Sequence, residues 1–460
     1  MEDITVGEAI EITSGNMKYQ YRIVGIFSLC HFSYSSYALG LAFMLSSNRS
    51  NNNATKFFDL YDEREYLQKI IISCYFMAIP IGALLFSWIS DKYGRKKILE
   101  FTIFIYTIGS AMATIATSVK MLAVASFIMG FFAQNGLSGT YVILTEISPV
   151  KSRVILSSIL FSSWSSGLIY SSLLYYFNIN WRLNLCFLTV VVMAFYFLMA
   201  FVYESPRCLL TKNDVKQVQS VFEKISKING KENFDYTLIH YKPFIQRSYS
   251  YLKLISKTNI KKTIIASLLW FNMNLIYYAI LFINVSIDDN QYFNGFIMGC
   301  VEIVSMIFTG FIGNKFNRRA LLFFSALLAR VALVMIFIWK MMYGNSFMLV
   351  LFFAFSKIGV TFEYYSITLS TVESFPTTYR AMAGGFFNFV GRCGGLASSN
   401  LVYFAEALGI SSTLFTVVIS SFSIIGIYFM KETRNSVLKE MSDGEKSQSD
   451  ELIALNKEIS

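Results

Sequence analysis

The chain alternates apolar runs of about 20 residues with short polar connections, and that alternation leaves few folds open to it. The runs cover 21–45, 67–89, 98–117, 121–144, 154–177 and 181–202, then 263–285, 292–312, 320–339, 347–371, 381–405 and 410–430. Each is long enough for an α-helix to cross the hydrocarbon of a bilayer. With 55% hydrophobic and only 15% charged residues, the apolar surface is too large for an ordinary aqueous core, so lipid must be part of the solvent. The expectation is an all-α membrane protein of twelve transmembrane helices, six on each side of a Lys-rich polar stretch.

The two sets of six echo one another. Residues 90–97 read S-D-K-Y-G-R-K-K between the second and third runs, and 314–319 read N-K-F-N-R-R at the equivalent place of the second set. Residues 146–153 and 373–380 both read E-x-x-P-x-x-x-R, and 204–207 (E-S-P-R) is answered by 432–434 (E-T-R). Three echoes in register imply a duplicated unit. The expected organisation is an N-terminal cytoplasmic segment (1–20), a six-helix bundle (21–202), a cytoplasmic linker (203–262), a second six-helix bundle (263–430) and a cytoplasmic tail (431–460).

The formal charge of +10 does not point to nucleic acid, because Lys and Arg gather in connections on one side of the predicted topology, as the positive-inside rule requires. That rule puts both termini in the cytosol; a plasma-membrane location is the expectation. The rule also puts the sequons at Asn48 and Asn53 on the opposite face, where a glycan can be attached. No cleaved signal peptide is expected. The six cysteines show neither zinc spacing nor a disulfide framework. No nucleophile-base pair, metal cluster or phosphate loop appears, so neither enzyme chemistry nor a cofactor is expected.

The basic turns suggest gates. Asp91 closes the second helix and is followed by Arg95, Lys96 and Lys97, a set suited to an ion pair that holds the halves together in one state and breaks in another. Topogenic charge alone is the competing explanation. Glu146 with Arg153, and Glu373 with Arg380, are the expected latches of the two halves, with Arg318, Glu204 and Arg207 in the same belt. Inside the membrane a charge is costly unless it faces a cavity or a partner, which singles out His31, Glu302, Arg330, Lys357, Glu363 and Arg392.

Further motifs carry a family resemblance. Residues 204–209, E-S-P-R-C-L, resemble a stretch shared by sugar porters and by organic cation, anion and carnitine transporters of the major facilitator superfamily. Phe58-Asp-Leu with Asp62, Leu269-Trp-Phe271 with Tyr277, and Lys357 followed by Glu373-Ser-Phe-Pro-Thr377 and Arg380 resemble the organic ion transporters more narrowly. The resemblance implies the major facilitator fold, two pseudo-symmetric six-helix halves around a central site. It also implies alternating-access transport of a small organic ion, with the bilayer as the other partner; oligomeric state is not legible. Helices 1, 4, 7 and 10, with 2, 5, 8 and 11, would line the pathway, leaving Arg330 on helix 9 as a snorkelling or structural charge. Departures include Ser87 and Asn314 at the basic turns, and Ser126 where facilitators often carry Arg.

On this reading Arg392 is the leading substrate contact, since organic-anion and carnitine-type members carry Arg there and cation members Asp. An internal salt bridge with Glu302 or Glu363 is the alternative. Lys357, Glu302, Tyr34, Trp164, Trp270, Tyr277, Tyr364 and Tyr365 complete the expected site, and an anion or zwitterion is favoured because the pathway candidates Glu302, Glu363, Lys357 and Arg392 show no acidic excess. A sugar porter and a non-transporting glycoprotein resembling the synaptic vesicle branch remain as alternatives.

Overall fold

The computed structural model describes residues 6–46, 53–211, 214–231, 254–257, 259–287, 290–312, 316–342, 346–375 and 380–432. Before the first membrane helix lies α1 (Val6–Ser14). The first bundle comprises α2 (Lys18–Met44), the short α3 (Ala54–Phe57), α4 (Glu65–Tyr93), α5 (Arg95–Thr114), α6 (Val119–Ile147), α7 (Val150–Tyr176) and α8 (Trp181–Leu198). Then come α9 (Pro206–Thr211) and α10 (Val215–Asn229). The second bundle is α11 (Ile260–Ile287), α12 (Gln291–Ile312), α13 (Arg318–Met342), α14 (Ser346–Ser374), α15 (Arg380–Ala407) and α16 (Ser412–Phe429). Twelve of these helices have 18 residues or more, the number expected from the apolar runs.

Eight of the twelve are apolar enough along their length to cross a membrane by composition. The other four are α2, α5, α7 and α15. Three of those carry many Ser, Tyr and Gly residues, and each of the three packs against the opposite bundle, where polarity is tolerated. The fourth, α5, opens on Arg95-Lys96-Lys97.

Helix starts have local causes. Ser118 accepts a hydrogen bond from the Met121 N–H at 3.3 Å, Asn180 from Arg182 at 2.9 Å and Asp214 from Gln217 at 3.1 Å, each satisfying a donor that the first turn leaves free. The basic turn expected at 90–97 is tight: α4 runs through Tyr93, Gly94 alone breaks it at φ 109°, and α5 starts at Arg95. That φ suits a residue without Cβ. The segment before α2 is likewise more than a polar tail. Ala9 and Ile10 of α1 are buried, and Asn229 at the end of α10 accepts from the Tyr19 N–H at 2.9 Å and donates to Thr13 O at 2.9 Å.

The duplication read from the sequence is visible in the packing. In the first bundle α2 packs on α7 and α8, α4 on α6, and α5 on α6 and α8; in the second α11 packs on α15 and α16, α12 on α14, and α13 on α14 and α16. Each pair has its counterpart. The crossings of α7 on α2 and α15 on α11 are close enough that a Cβ on Gly167 would meet Phe32 O, and one on Gly394 would meet Phe271 O. The bundles meet through α7 with α12, α4 with α15, and α2 with α11.

Among the described residues, the hydrogen bonds and ring contacts between bundles run from mid-depth to the end opposite Arg95 and Arg318. Gln291 Nε2 donates to Ser46 Oγ and Ser73 Oγ to Asn400 Oδ1, both at 3.1 Å, while the rings of Phe43 and Tyr292 lie 5.6 Å apart. At mid-depth the rings of Phe161 and Tyr364 are 6.2 Å apart. Arg95 and Arg318 mark the other end, here called the basic end.

Candidate functional site

The charges placed in the membrane core by sequence sort into three groups. Glu302 on α12 and Lys357 on α14 form one. Lys357 Nζ lies 3.2 Å from Glu302 Oε2, and neither side chain is more than 4% exposed. The other oxygen, Oε1, accepts the Tyr277 hydroxyl at 2.9 Å, and that hydroxyl in turn accepts Trp164 Nε1 from the opposite bundle at 2.8 Å. Lys357 Nζ also sits 3.5 Å from the centroid of the Tyr277 ring, a cation–π contact. Four polar groups, one each on α7, α11, α12 and α14, are thereby tied into one cluster across the seam, and a buried pair of this kind needs such secondary partners.

Arg330 and Glu363 form the second group, which makes Arg330 the structural charge of the two alternatives and corrects the placing of Glu363 in the pathway. Arg330 is not a snorkelling charge at the lipid face: it is 3% exposed, and its Nη1 lies 3.0 Å from Glu363 Oε2. It also donates to Ala326 O at 2.7 Å, Ser420 O at 3.1 Å and Ser423 Oγ at 2.6 Å. All of these lie on α13, α14 and α16, so Glu363 belongs to the interior of the second bundle and not to the pathway.

Arg392 stands alone. Glu302 and Glu363 have other partners, so the internal salt bridge weighed from the sequence is not formed. Its Nη1 donates to the Tyr278 hydroxyl at 2.9 Å, and among the described residues it makes no ion pair. Arg392 is only partly buried, on the helix that faces α4 across the seam. Adjacent residues on a helix point about 100° apart. The Tyr277-Tyr278 doublet therefore serves two sites, one hydroxyl reaching Glu302 and the other Arg392.

The aromatic residues divide as well. Trp270 donates through Nε1 to Thr371 Oγ1 at 3.0 Å and meets Tyr364 edge to face at 6.0 Å. Tyr364 leads through Phe161 of the opposite bundle to Tyr141, at ring distances of 6.2 and 5.2 Å. Trp164, Tyr277, Trp270 and Tyr364 are thus gathered at the seam. Tyr34 is not among them: it stacks on Tyr106 at 3.9 Å inside the first bundle. Tyr365 lies within electrostatic reach of Arg318 and Glu373, toward the basic end. His31 Nε2 pairs with Thr140 Oγ1 at 3.0 Å. Sequence reasoning missed Tyr278, Phe161 and Thr371; the Tyr-Tyr doublet was a signal for the first.

The belt at the basic end differs from the expected latches. Arg95 pairs with Glu146 and Arg318 with Glu373, both at 3.1 Å. Glu204 accepts the backbone N–H of Arg95 and Lys96, and Glu432 that of Arg318 and Arg319. Arg153 donates to Ser148 O at 3.2 Å and makes no ion pair among the described residues. Arg207 is exposed and likewise unpaired among them. These ion pairs join helices of one bundle, not the two halves. The side chains of Asp91 and Arg380, and the whole of Asn48, lie outside the described residues. Asn53 is 2% exposed, with its amide on Phe43 O, a placement that leaves no room for a glycan.

The sequence profile described as Major Facilitator Superfamily matches residues 26–399. Organic cation/carnitine transporter 2 of Mus musculus is 25% identical over 359 residues, covering 75% of this chain and 63% of its own length. Solute carrier family 22 member 16 of Bos taurus is 26% identical over 361 residues, with 76% and 62% covered. The chain therefore spans under two thirds of the length of these relatives. Among solved structures, the proton:xylose symporter XylE bound to 6-bromo-6-deoxy-D-glucose superposes with a TM-score of 0.69 at 14% identity, covering 92% of this chain and 98% of that one.

Proposed function

The chain belongs to the Major Facilitator Superfamily, and from that membership we propose that it is a multi-pass carrier moving small organic anions or zwitterions by alternating access. One observation carries the substrate class. Of the buried charges, Lys357 is balanced by Glu302 and Arg330 by Glu363, which leaves Arg392 as a guanidinium at the seam with no carboxylate among the described residues. A substrate carboxylate supplies the missing counter-charge through paired hydrogen bonds.

A relative bears the printed name organic cation/carnitine transporter. Carnitine is a zwitterion, and the proposed site suits one: the carboxylate on Arg392 and the ammonium against the rings of Tyr364, Trp270 and Tyr277. A bare cation is less well served, because both acidic side chains of the core are already paired. Lys357 and Glu302 are assigned the task of fixing Tyr277 and Trp164 in place.

The positive-inside rule puts the basic end in the cytosol and the Asn53 end outside. The contacts between bundles among the described residues gather at the latter, which supports a state open toward the cytosol. In this reading the Arg95–Glu146 and Arg318–Glu373 pairs keep each half rigid as the halves rock.

Uptake by oocytes tests the proposal with three labelled probes: carnitine, a small monocarboxylate and tetraethylammonium. Saturable uptake of carnitine or the carboxylate, lost in Arg392→Gln, is expected. Uptake of tetraethylammonium alone by the unaltered protein would overturn the substrate class. Absence of saturable flux for every probe would favour the non-transporting membrane glycoprotein.

A further inference from the structure

The duplication allows the basic ends of the two bundles to be compared residue by residue. Arg95 and Arg318 hold Glu146 and Glu373, and Glu204 and Glu432 accept the equivalent pairs of backbone N–H groups. Leu99 and Leu322 are both fully buried. This register equates Lys96 with Arg319 and Glu100 with Phe323. In the first bundle Lys96 Nζ meets Glu100 one turn along the helix, at 3.5 Å. In the second that acidic partner is replaced by phenylalanine.

Arg319 therefore lacks the side-chain ion pair that Lys96 makes. Among the described residues its guanidinium makes no ion pair and no hydrogen bond; it lies 5.3 Å from the centroid of the Tyr428 ring. Beside it a groove of about 540 Å³ runs between α13 and α16, lined by Arg319, Phe323, Phe324, Ile424, Tyr428 and Glu432. Phe324 and Tyr428 are 66% and 70% exposed, on two helices long and apolar enough to cross a membrane. Glu432, the one acidic lining residue, directs both carboxylate oxygens to the N–H groups of Arg318 and Arg319.

We propose that this groove is a binding site for an anionic phospholipid, with the phosphate on the Arg319 guanidinium and an acyl chain along Phe323, Phe324 and Ile424. The chemistry is complementary at both ends. A guanidinium fork matches phosphate oxygens, and its stacking on Tyr428 holds the fork at the level where a spanning helix begins. An apolar channel leading away from the charge suits the chain of the same molecule. The sidedness proposed above puts the site in the cytosolic leaflet, where anionic lipids are concentrated. At the equivalent position of the first bundle, Lys96 is neutralised in place by Glu100.

The purified full-length protein, stripped of lipid and titrated with phosphatidylserine or phosphatidylcholine of identical chains, is read by native mass spectrometry for bound lipid. The unaltered protein should retain phosphatidylserine about five-fold better, the discrimination one interfacial basic residue provides. Arg319→Gln should bring the two lipids to parity, whereas Lys96→Gln should keep the preference. Phe323→Glu, which installs the acidic partner found in the other bundle, should also abolish it and stands in if Arg319→Gln does not fold. Equal retention of phosphatidylserine by the unaltered protein and by either second-bundle variant overturns the proposal. A phosphatidylserine preference that appears only after removal of residues 436–460 assigns the groove to the chain's own C-terminal segment and overturns it too.

Discussion

Lys357 and Glu302 face each other at 3.2 Å from α14 and α12, and the same Lys357 ammonium rests 3.5 Å from the centre of the Tyr277 ring. Two charges withdrawn from water at this depth persist only because each has a second contact: the aromatic face for the ammonium and the Tyr277 hydroxyl for the carboxylate. Through Trp164 the cluster reaches the other bundle, so an internal ion pair is wired to the surface along which the halves must part.

The pair should therefore behave as a unit. Lys357→Met leaves a buried carboxylate without its counter-ion and is expected to lower stability by about 3–5 kcal/mol, with Glu302→Leu costing a similar amount. The double variant, with neither charge, should recover most of that loss. Thermal unfolding in detergent of the two singles and the double gives the coupling energy. A double variant as unstable as the sum of the singles would show that the two charges act independently.

How much of this was legible beforehand depends on what kind of constraint was at work. The twelve spans follow from residue hydrophobicity and length, and the duplication from repeated motifs at 90–97 and 314–319, so both could be read without coordinates. Partner choice among the core charges could not. Glu302, Glu363, Lys357, Arg330 and Arg392 are compatible with several pairings, and only the rotation of each helix selects Glu302 for Lys357 and Glu363 for Arg330. Tyr34 illustrates the same limit: its helix lines the seam, but its own azimuth turns the ring to Tyr106. At the basic end the limit shows at Glu146. Glu146 was matched with the nearby Arg153, whereas tertiary packing brings Arg95 to it.

Tyr278 is expected to orient Arg392 without touching substrate. Tyr278→Phe removes a hydrogen bond to a charged donor, worth about 1.5 kcal/mol, so KM for a carboxylate substrate should rise about tenfold while the maximal rate is largely kept. Arg392→Lys should be worse than Tyr278→Phe, since a single ammonium cannot replace the planar fork. Uptake kinetics of carnitine in oocytes, corrected for surface expression, separate the two. A lowered maximal rate with unchanged KM in Tyr278→Phe would mean that the hydroxyl serves the conformational change instead.

Arg330 and Glu363 should matter to folding alone. Arg330→Met strands Glu363, which is fully buried, and is expected to lower stability by about 3–5 kcal/mol and reduce the amount of protein reaching the membrane. Glu363→Gln, which keeps hydrogen-bonding capacity for Arg330, should be milder, and the protein that does reach the membrane should show unaltered KM. A changed KM in surface-normalised uptake would return Glu363 to the pathway from which its pairing with Arg330 removes it.

Closure of the end opposite the basic belt rests on close approach at Gly295 on α12. A Cβ built there would lie 2.8 Å from Phe43 Cζ and also overlap Ser172, both on the other bundle. Gly295→Ile should therefore wedge this end open, because α12 cannot approach α2 and α7 without displacing the Phe43 and Ser172 side chains. The Gln291–Ser46 hydrogen bond, one turn away on α12, should break with it. If transport requires the two ends to alternate, the variant should reach the membrane, lose most uptake and expose the seam. A cysteine at Ser46 would then react faster with an impermeant thiol reagent than the same cysteine in the unaltered background. That comparison is best made after the six native cysteines are replaced. Unchanged uptake in Gly295→Ile with unchanged reactivity at position 46 would mean that this contact is passive packing. Lost uptake without added reactivity would mean that the substitution traps the closed end shut, and the role assigned to Gly295 would fail.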